Sequence, residues 1–430
     1  MADSNHRSVP DSSEYDALVV GASLAGCTTA ILLGRAGARV AVVEKQPDPA
    51  AFKRVCSHFI QASAAPTIER LDLMDRIEEA GGVRSRIRAW TRWGWIDPPP
   101  ERAGYAVNLR REVLDPMIRE TASGTPGVDV MLGRAVKGLL YDGDAVCGAE
   151  VGEPAGDVTS IRARLVIGAD GRDSRVAQLA DVPTKTLAHG RFAYGAYFEG
   201  AQPSHSPDGS MWMLDPQWAA AFPTDSGLTF YAVMLTKDRL AEFRRDPEES
   251  LVSFLADLPD APPIATGRRV GPVLGKIEMP NRIRRAAVPG LALVGDAALA
   301  TDPIFGVGCG WALQSGEWLA DSVVPALLGQ GSLERGLARY RRRHGRALRG
   351  HAFLIHDYAT GRRLTRFERA LFAAAARDPT VATRFDEFGT RRIGPARMLA
   401  TALPRVIAVN ARHALAGGRQ GAGAPSTASA

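Results

Sequence analysis

The feature that most constrains the fold is a glycine-rich turn between an apolar strand and a helix near the N-terminus. Residues 16–20 (DALVV) form a short apolar run, and GASLAG follows at 21–26. Residues 24–36 are rich in helix-forming side chains, and residues 39–43 form a second apolar run. A strand, a turn, a helix and a second strand within about 30 residues make a βαβ unit. The sequence therefore predicts an α/β fold with a parallel sheet.

The turn itself has the composition of a dinucleotide-binding loop. Gly21 permits a tight turn, Gly26 lets the helix pack closely on the strand, and Ser23 stands where a middle glycine is usual. Free N–H groups and the helix dipole at such a turn stabilise a pyrophosphate. The candidate pyrophosphate-binding residues are Gly21, Ala22, Ser23, Leu24, Ala25 and Gly26.

An acidic residue ends the second strand of this unit. Glu44, followed by Lys45, lies 23 residues after Gly21, at the spacing of the carboxylate that accepts hydrogen bonds from a ribose. A carboxylate there would repel a 2′-phosphate, so we expect this site not to hold NADP. The pattern predicts a bound dinucleotide without distinguishing NAD from FAD.

Two further apolar strands run into carboxylates. Residues 164–168 lead to Asp170 and Gly171, and residues 291–294 lead to Asp296. Ligands of open α/β sheets bind at the carboxyl ends of the strands, so both positions are candidate cofactor contacts. For either aspartate alone, capping of the following helix is the simpler alternative.

The three segments together resemble the FAD-dependent monooxygenases of the aromatic-hydroxylase type, the group A flavoprotein hydroxylases. The resemblance rests on GASLAG with Glu44, on GADGRDSRV at 168–176 and on GDAALATDPIFGVGCGWAL at 295–313, and it extends over residues 15–345. It implies a Rossmann-like FAD-binding domain, a β-sheet substrate domain and a helical C-terminal region.

The same resemblance implies roles for individual residues. Asp296 would bind the ribityl chain of FAD, and Asp170 and Gly171 would lie near the pyrophosphate in a motif also associated with NAD(P)H. Arg111 would lie against the flavin tail, and Arg54 would approach the pyrophosphate.

Further positions are implied around the adenine and the isoalloxazine ring. The backbone of Val136 would touch the adenine. Pro303, Gly306, Val307 and Gly308 would pass the isoalloxazine ring and begin a helix whose positive end stabilises the reduced flavin.

The substrate site is expected between the flavin and the second domain. Aromatic side chains there suggest an apolar pocket for an aromatic or polycyclic molecule, although core packing explains any one of them equally well. His58 is the candidate catalytic acid or base, with an ordinary structural histidine as the alternative. The candidate pocket residues are Tyr197, Trp212, Trp218, Phe222, Trp93, Trp95 and Phe305.

The domain organisation follows from these assignments. The predicted segments are a flexible arm (1–14), an FAD-binding domain (15–75, 103–188 and 281–345), a substrate domain (76–102 and 189–280), C-terminal helices (346–416) and a disordered tail (417–430).

The resemblance implies a FAD-dependent monooxygenase that hydroxylates or epoxidises its substrate through a flavin hydroperoxide, with molecular oxygen and NADPH or NADH as the electron donor. A role in specialised-metabolite biosynthesis is the family-level expectation. A partner flavin reductase is the alternative source of electrons.

Three other functions stay open on the same scaffold. A geranylgeranyl-type reductase is favoured by Trp218 ahead of Phe222-Pro223, although the spacing differs from that of the reductases. A flavin halogenase is disfavoured because residues 93–98 (WGWIDP) only approach its signature. A non-catalytic flavin-binding protein is the last alternative.

Composition excludes several other classes. The net charge of +6 comes from scattered residues and gives no nucleic-acid-binding run. Four cysteines without CxxC spacing indicate neither a metal site nor a disulfide framework. A polar N-terminus and the lack of a membrane-length apolar run predict a cytoplasmic protein. The arginine-rich last hundred residues suggest solvated helix faces, with contact to a membrane surface as the alternative.

Overall fold

The computed structural model describes residues 15–153 and 156–421, so the predicted arm at 1–14 lies outside the described residues. The strands are β1 (Tyr15–Val20), β2 (Val40–Glu44), β3 (Phe59–Ile60), β4 (Val83–Ser85), β5 (Ile87–Thr91), β6 (Gly94–Ile96), β7 (Ala106–Asn108), β8 (Val128–Leu132), β9 (Ala135–Asp142), β10 (Ala145–Gly152), β11 (Val158–Gly168), β12 (Thr184–Thr186), β13 (Arg191–Glu199), β14 (Gly209–Met213), β15 (Trp218–Pro223), β16 (Leu228–Thr236), β17 (Arg268–Lys276), β18 (Arg282–Arg284), β19 (Ala287–Val288), β20 (Leu291–Leu293) and β21 (Leu299–Ala300). The helices are α1 (Leu24–Arg35), α2 (Ala65–Arg70), α3 (Met74–Glu79), α4 (Arg111–Ser123), α5 (Arg175–Leu179), α6 (Leu240–Phe243), α7 (Pro247–Ala256), α8 (Gly308–Leu327), α9 (Leu333–Ala359), α10 (Arg366–Ala375), α11 (Pro379–Gly389) and α12 (Pro395–Gly421).

The main sheet has a parallel centre. Its strand order is β19-β20-β11-β1-β2-β8, and β1 pairs in parallel with both β2 and β11. Helices cover the centre, so β1 and β2 are apolar runs rather than alternating ones. The carboxyl ends of β1, β2, β11 and β20 meet at one edge, as in a Rossmann-like fold. The predicted fold class is confirmed.

Close packing of α1 on the sheet depends on one glycine. A side chain at Gly26 would place its Cβ 1.8 Å from the carbonyl oxygen of Gly21. The helix can therefore approach the end of β1 only because residue 26 has no side chain. This contact fixes where the positive end of α1 points.

The second sheet has two different faces. Its strand order is β17-β13-β16-β15-β14-β5-β6, antiparallel except between β14 and β5. Alternate residues of each strand point to opposite sides. Phe222 and Phe230 lie on the inner face, towards the main sheet, whereas Trp212 and Tyr231 belong to a separate core that includes residues of α6 and α7. Only the inner face can contribute to a site between the two sheets.

The C-terminal region is helical but differs in its limits from the sequence-based division. Helix α9 is continuous across residues 345 and 346, where a domain boundary was expected. Helix α12 extends to Gly421, so residues 417–421 of the predicted disordered tail are helical, and residues 422–430 lie outside the described residues.

Two buried histidines lie on α9. Burial lowers the pKa of His344 to about 4. Burial, helped by the nearby Arg391 guanidinium, lowers the pKa of His351 to about 3. Both imidazoles are therefore neutral in the folded protein at neutral pH.

We expect the Gly26→Ala variant to lose about 1–3 kcal/mol of unfolding free energy, because its methyl group has no space between α1 and the turn. Urea unfolding monitored by circular dichroism measures the change. Gly345→Ala is the matched control, since that α9 position meets only the end of the Arg349 side chain, 3.9 Å away. It should be stabilised by about 0.5–1 kcal/mol. Equal effects of the two substitutions would refute the packing argument.

The buried histidines predict a loss of stability in acid. Their folded pKa values lie below the unfolded value of about 6.5, so below that pH the unfolded chain binds protons that the folded chain does not. Each should cost up to about 1.4 kcal/mol per pH unit between about pH 6.5 and its folded pKa. The unfolding free energy, measured across this pH range, should depend less on pH in His344→Gln/His351→Gln than in the wild type. The exposed control His413→Gln should keep the wild-type pH dependence. An unchanged pH dependence in the double variant would contradict this assignment.

Candidate functional site

The turn after β1 presents the start of α1 at the carboxyl edge of the main sheet. Gly21 N–H donates to the carbonyl oxygen of Val43 at 2.8 Å, which fixes the turn against β2. Ser23 is the N-cap of α1, but its side chain makes no capping hydrogen bond within the described residues. Instead, its hydroxyl oxygen accepts a hydrogen bond from Arg111 Nη2 at 2.8 Å. The positive end of α1 therefore has no acidic side chain in its first turn and suits an anion.

Glu44 holds the turn in place from the end of β2. Its Oε2 accepts the Ala22 N–H at 2.9 Å, and its Oε1 accepts the Gln46 N–H at 2.9 Å. Each carboxylate oxygen keeps a further lone pair, so Glu44 can still accept hydrogen bonds from ribose hydroxyls. The neighbouring Lys45 is exposed.

The beginning of β9 lies at the same edge. Arg134 N–H donates to the carbonyl oxygen of Glu44 at 2.9 Å. Val136 follows two residues later and is buried, paired with Val151 of β10. The structure thus brings Val136 close to the predicted ribose-binding residue.

Asp170 serves the helix that follows it. Its Oδ1 accepts the Ser174 hydroxyl at 2.6 Å, and its Oδ2 accepts the Val176 N–H at 3.0 Å. This is the helix-capping alternative raised from the sequence. The adjacent Gly171 has φ +84°, and no described atom lies within 4 Å of the position a side chain would take. Backbone approach of a ligand is therefore possible at Gly171.

Asp296 faces a lysine that the sequence-based assignment missed. Lys53 Nζ lies 3.2 Å from Asp296 Oδ2. Burial works to raise the pKa of Asp296, but the Lys53 ammonium and the Arg172 and Arg111 guanidinium groups together outweigh it and hold the pKa below its usual value. Arg54, the predicted neighbour of the pyrophosphate, is exposed.

Arg111 lies where the separate segments meet. Its Nε donates to Asp115 Oδ1 at 2.8 Å, and both side chains are almost fully buried. Its Nη1 lies 3.8 Å from Cys56 Sγ and 3.7 Å from Cys309 Sγ. A buried guanidinium paired with one carboxylate stays charged, so it can contribute positive charge to the site.

Two cysteines that are far apart in sequence are neighbours in space. Cys56 and Cys309 are free thiols with their sulfur atoms 3.5 Å apart. The hydrogen bond with Cys309 lowers the pKa of Cys56 well below its usual value, and the Arg111 guanidinium acts in the same direction. No spacing rule in the sequence indicates this pair, because 253 residues separate its members.

The loop before α8 leaves space in front of the helix. Gly306 has φ +60°, and a side chain there would lie 2.8 Å from the Phe59 ring. Val307 is buried and is the N-cap of α8, and Gly308, its first residue, has no described atom within 4 Å of the missing side chain. A planar ring can therefore approach the positive end of α8, where negative charge is stabilised.

His58 is part of a hydrogen-bonded pair with Tyr197. The residue is 2% exposed and has φ +58°. Its Nδ1 accepts the backbone N–H of Arg111 at 2.9 Å, and its Nε2 is hydrogen-bonded to the Tyr197 hydroxyl. Burial lowers the pKa of His58, which favours the neutral ring. Because Nδ1 is the acceptor, we assign the proton to Nε2, which donates to the Tyr197 oxygen.

A cavity of about 90 Å³ lies between the loop before α8 and the inner face of the second sheet. Its walls are aromatic rings and thioethers, and Lys276 is the one charged residue of its described lining. The lining residues are Val55, Cys56, Ser57, Phe59, Ala193, Tyr194, Gly195, Met211, Ala220, Phe222, Phe230, Ala232, Met234, Leu274, Lys276, Met279, Pro303, Ile304, Phe305 and Gly306.

Four of the predicted pocket residues lie at or beside this cavity. Phe222 and Phe305 line it directly. Trp218 packs behind Phe305, with ring centroids 5.2 Å apart. Tyr197 contacts the lining residue Phe230, with ring centroids 5.0 Å apart. Tyr197, Trp218 and Phe222 belong to the second sheet, and Phe305 lies in the loop before α8.

The other three tryptophans do not line the cavity. Trp212 belongs to the core on the outer face. Trp95 packs edge to face against it, with ring centroids 5.9 Å apart, and its indole N–H donates to Asp260. Trp93 lies in the turn between β5 and β6 and packs against the main core. The type of an aromatic residue does not predict which face of a sheet it lies on. The sequence therefore could not show that these tryptophans lie away from the cavity.

A parallel sheet with a glycine turn, an acidic strand end and two helix N-termini at one edge is the arrangement of a dinucleotide-binding fold. The family model described as FAD binding domain matches residues 14–351. The chain belongs to this family of FAD-dependent flavoenzymes, and the predicted resemblance at superfamily level is confirmed.

Individual relatives have different activities. The chain is 28% identical over 346 residues to digeranylgeranylglycerophospholipid reductase 1 of Methanococcoides burtonii, covering 77% of this chain and 79% of the relative. The structure of the flavin-dependent brominase Bmp2 matches with a TM-score of 0.76 and 18% identity, covering 93% of this chain and 99% of the brominase. That of p-nitrophenol 4-monooxygenase PnpA from Pseudomonas putida DLL-E4 matches with a TM-score of 0.70 and 22% identity, covering 89% and 99%. The structural matches establish a shared fold.

The described residues fit an FAD molecule. The uncapped start of α1 suits the pyrophosphate, the free lone pairs of Glu44 suit the ribose, and the open space at Gly308 suits the flavin ring. Asp296 would hold the ribityl hydroxyls, and Lys53 and Arg111 would supply positive charge to the anionic cofactor.

Replacing Asp296 by Asn should weaken FAD binding by about tenfold, which corresponds to about 1.4 kcal/mol, because an amide is a poorer acceptor for the ribityl hydroxyls. Quenching of FAD fluorescence on titration of the apoprotein measures the affinity. Asp144→Asn, in the exposed turn between β9 and β10, is the control and should bind FAD normally. Unchanged affinity in Asp296→Asn would remove this residue from the cofactor site.

Proposed function

We propose that the protein is a FAD-dependent monooxygenase that hydroxylates or epoxidises a small apolar aromatic molecule, using molecular oxygen and NADPH or NADH. Bound FAD supplies the redox and oxygen chemistry, and the protein positions the substrate, excludes water and places a proton. A biosynthetic role in specialised metabolism is part of this proposal, which rests on the family.

The observation that carries the proposal is the apolar cavity facing the start of α8. Its described lining contains no carboxylate, and its rings and thioethers suit a flat apolar substrate. Its volume of about 90 Å³ is below the roughly 300–1,000 Å³ of common ligand pockets. The space favours one ring, and a polycyclic substrate would require Met211, Met234 or Met279 to move.

Tyr197 is the group best placed to handle a proton. Since His58 Nε2–H donates to the Tyr197 oxygen, the Tyr197 proton is left to donate to another acceptor. The same hydrogen bond stabilises the phenolate that remains if Tyr197 gives up its proton. His58 is therefore a positioning residue for Tyr197, rather than the base that the sequence suggested.

A double-bond reductase is the second candidate. The similarity to archaeal reductases favours it, and a proton from Tyr197 would serve the reduction of a carbon–carbon double bond as well. The cavity of about 90 Å³ is too small for the long isoprenoid chains that the name of that relative implies, which disfavours the same substrate here. Halogenation gains no support from Trp93 and Trp95, which do not line the cavity.

We expect Tyr197→Phe to lower turnover by about 100-fold or more while FAD remains bound, because the proton donor is lost. His58→Ala should lower turnover less, since Tyr197 keeps its hydroxyl. Substrate-dependent oxidation of NADPH or NADH gives the rate, and the visible flavin spectrum gives the FAD content. Tyr141→Phe, at a half-exposed position on β9 outside the cavity lining, is the control and should retain activity. Normal turnover in Tyr197→Phe would exclude Tyr197 from the mechanism.

Products formed under ¹⁸O₂ from a panel of phenols, anilines and isoprenoids distinguish the two functions. A product that gains one ¹⁸O atom is expected. A product that gains two hydrogens and no oxygen would establish the reductase and refute the monooxygenase proposal.

A further inference from the structure

The last helix of the chain has one docked face and one exposed face. Met398, Ala402 and Val406 are buried on the inner side of α12. Asn410 Nδ2 donates to the Ala370 carbonyl oxygen at 2.9 Å, and Arg405 pairs with Asp378 at 2.8 Å. These contacts hold α12 against α10 and α11 and fix which side chains point away from the protein.

The outward side chains of α12 are largely apolar. Leu399 is 44% exposed, Leu403 39%, Ile407 61% and Leu415 71%. At about 100° per residue, these four side chains are spread over about half of the helix circumference. The exposed residues that lie between them include Ala396, Ala400, Pro404 and Ala411. A solvated helix normally carries polar residues on this side. We call Leu399, Leu403, Ile407 and Leu415 the outer face of α12.

An exposed aromatic residue extends this surface onto α9. A side chain at Gly350 would lie 3.1 Å from Pro395 Cγ, so α9 passes directly against the start of α12. Phe353, about one turn further along α9, is 67% exposed. Phe353 therefore adds an exposed apolar side chain on the helix against which α12 begins.

The surrounding charge is strongly positive. Helix α12 contains no acidic residue, and the exposed Arg397 and Arg412 lie beside its outer face. Residues 333–415 contain 18 arginines and six acidic residues, whereas the whole chain has a net charge of only +6. The rest of the chain is thus net negative. A second copy of the chain would bring the same positive surface against this one, so charge opposes self-association here.

We propose that the outer face of α12, together with Phe353, docks on an anionic lipid bilayer. Leucine, isoleucine and phenylalanine would enter the interface between headgroups and acyl chains, while the arginines contact lipid phosphates. Within the described residues no helix is long and apolar enough to cross a membrane, so the contact is with the bilayer surface. A bilayer also concentrates apolar small molecules close to the enzyme.

Sedimentation of the full-length, FAD-loaded protein with vesicles tests the proposal. Vesicles of equal parts phosphatidylcholine and phosphatidylglycerol should bind the protein, and raised salt should release it. Leu403→Glu/Ile407→Glu should reduce the bound fraction by about tenfold or more, because a buried carboxylate opposes insertion. Each of Arg397→Gln and Arg412→Gln should weaken binding about fivefold.

Val158→Glu is the matched control, since Val158 is 53% exposed on β11, in the main sheet, and its variant should bind vesicles normally. Flavin content and thermal midpoint show whether each variant is folded. Failure to bind the mixed vesicles would overturn the proposal, as would equal binding to pure phosphatidylcholine. A dimer in light scattering that Leu403→Glu/Ile407→Glu abolishes would show that a second copy covers the surface instead.

Discussion

The buried guanidinium of Arg111 connects the parts of the site. It is paired with Asp115, donates to Ser23 at the start of α1 and lies beside the thiols of Cys56 and Cys309. Its backbone N–H is the donor that sets the tautomer of a histidine in a neighbouring segment. Because α1, α4 and α8 all contact this one side chain, the carboxyl edge of the main sheet and the hydrogen-bonded His58–Tyr197 pair are positioned together.

The site divides into a polar region and an apolar one. Helix starts, the Lys53–Asp296 pair and Glu44 lie along the edge of the main sheet, where a charged dinucleotide belongs. The cavity beyond them is lined by the inner face of the second sheet and has one charged side chain, Lys276, in its described lining. The polar and apolar regions meet near Gly308, where the flavin ring would lie between them.

The positions of the glycine turn and of the strand-end acids could be predicted because their sequence signals are local. The turn at 21–26 and Glu44 belong to one βαβ unit, and the strand-end position of Asp296 is visible as an apolar run followed by an acid. Contacts between distant segments could not be predicted. No periodicity indicates that Lys53 meets Asp296, or that Cys56 meets Cys309.

The second sheet shows a different limit of sequence analysis. Residues in a strand alternate between two faces, and in this sheet both faces are buried and apolar. Trp212 and Phe222 therefore look alike in sequence, although only Phe222 reaches the cavity. Asp170 is similarly ambiguous, because capping a helix and binding a ligand both require a carboxylate after a strand.

We infer that the glycine turn and the carboxylates at the ends of separate strands together hold a single FAD. Equilibrium titration of the apoprotein, with FAD and FMN compared side by side, tests it most directly. We predict saturation at one FAD per chain and much weaker binding of FMN, which lacks the adenosine that Glu44 would recognise. A colourless protein that takes up no FAD, or one that binds FMN equally well, would contradict the account.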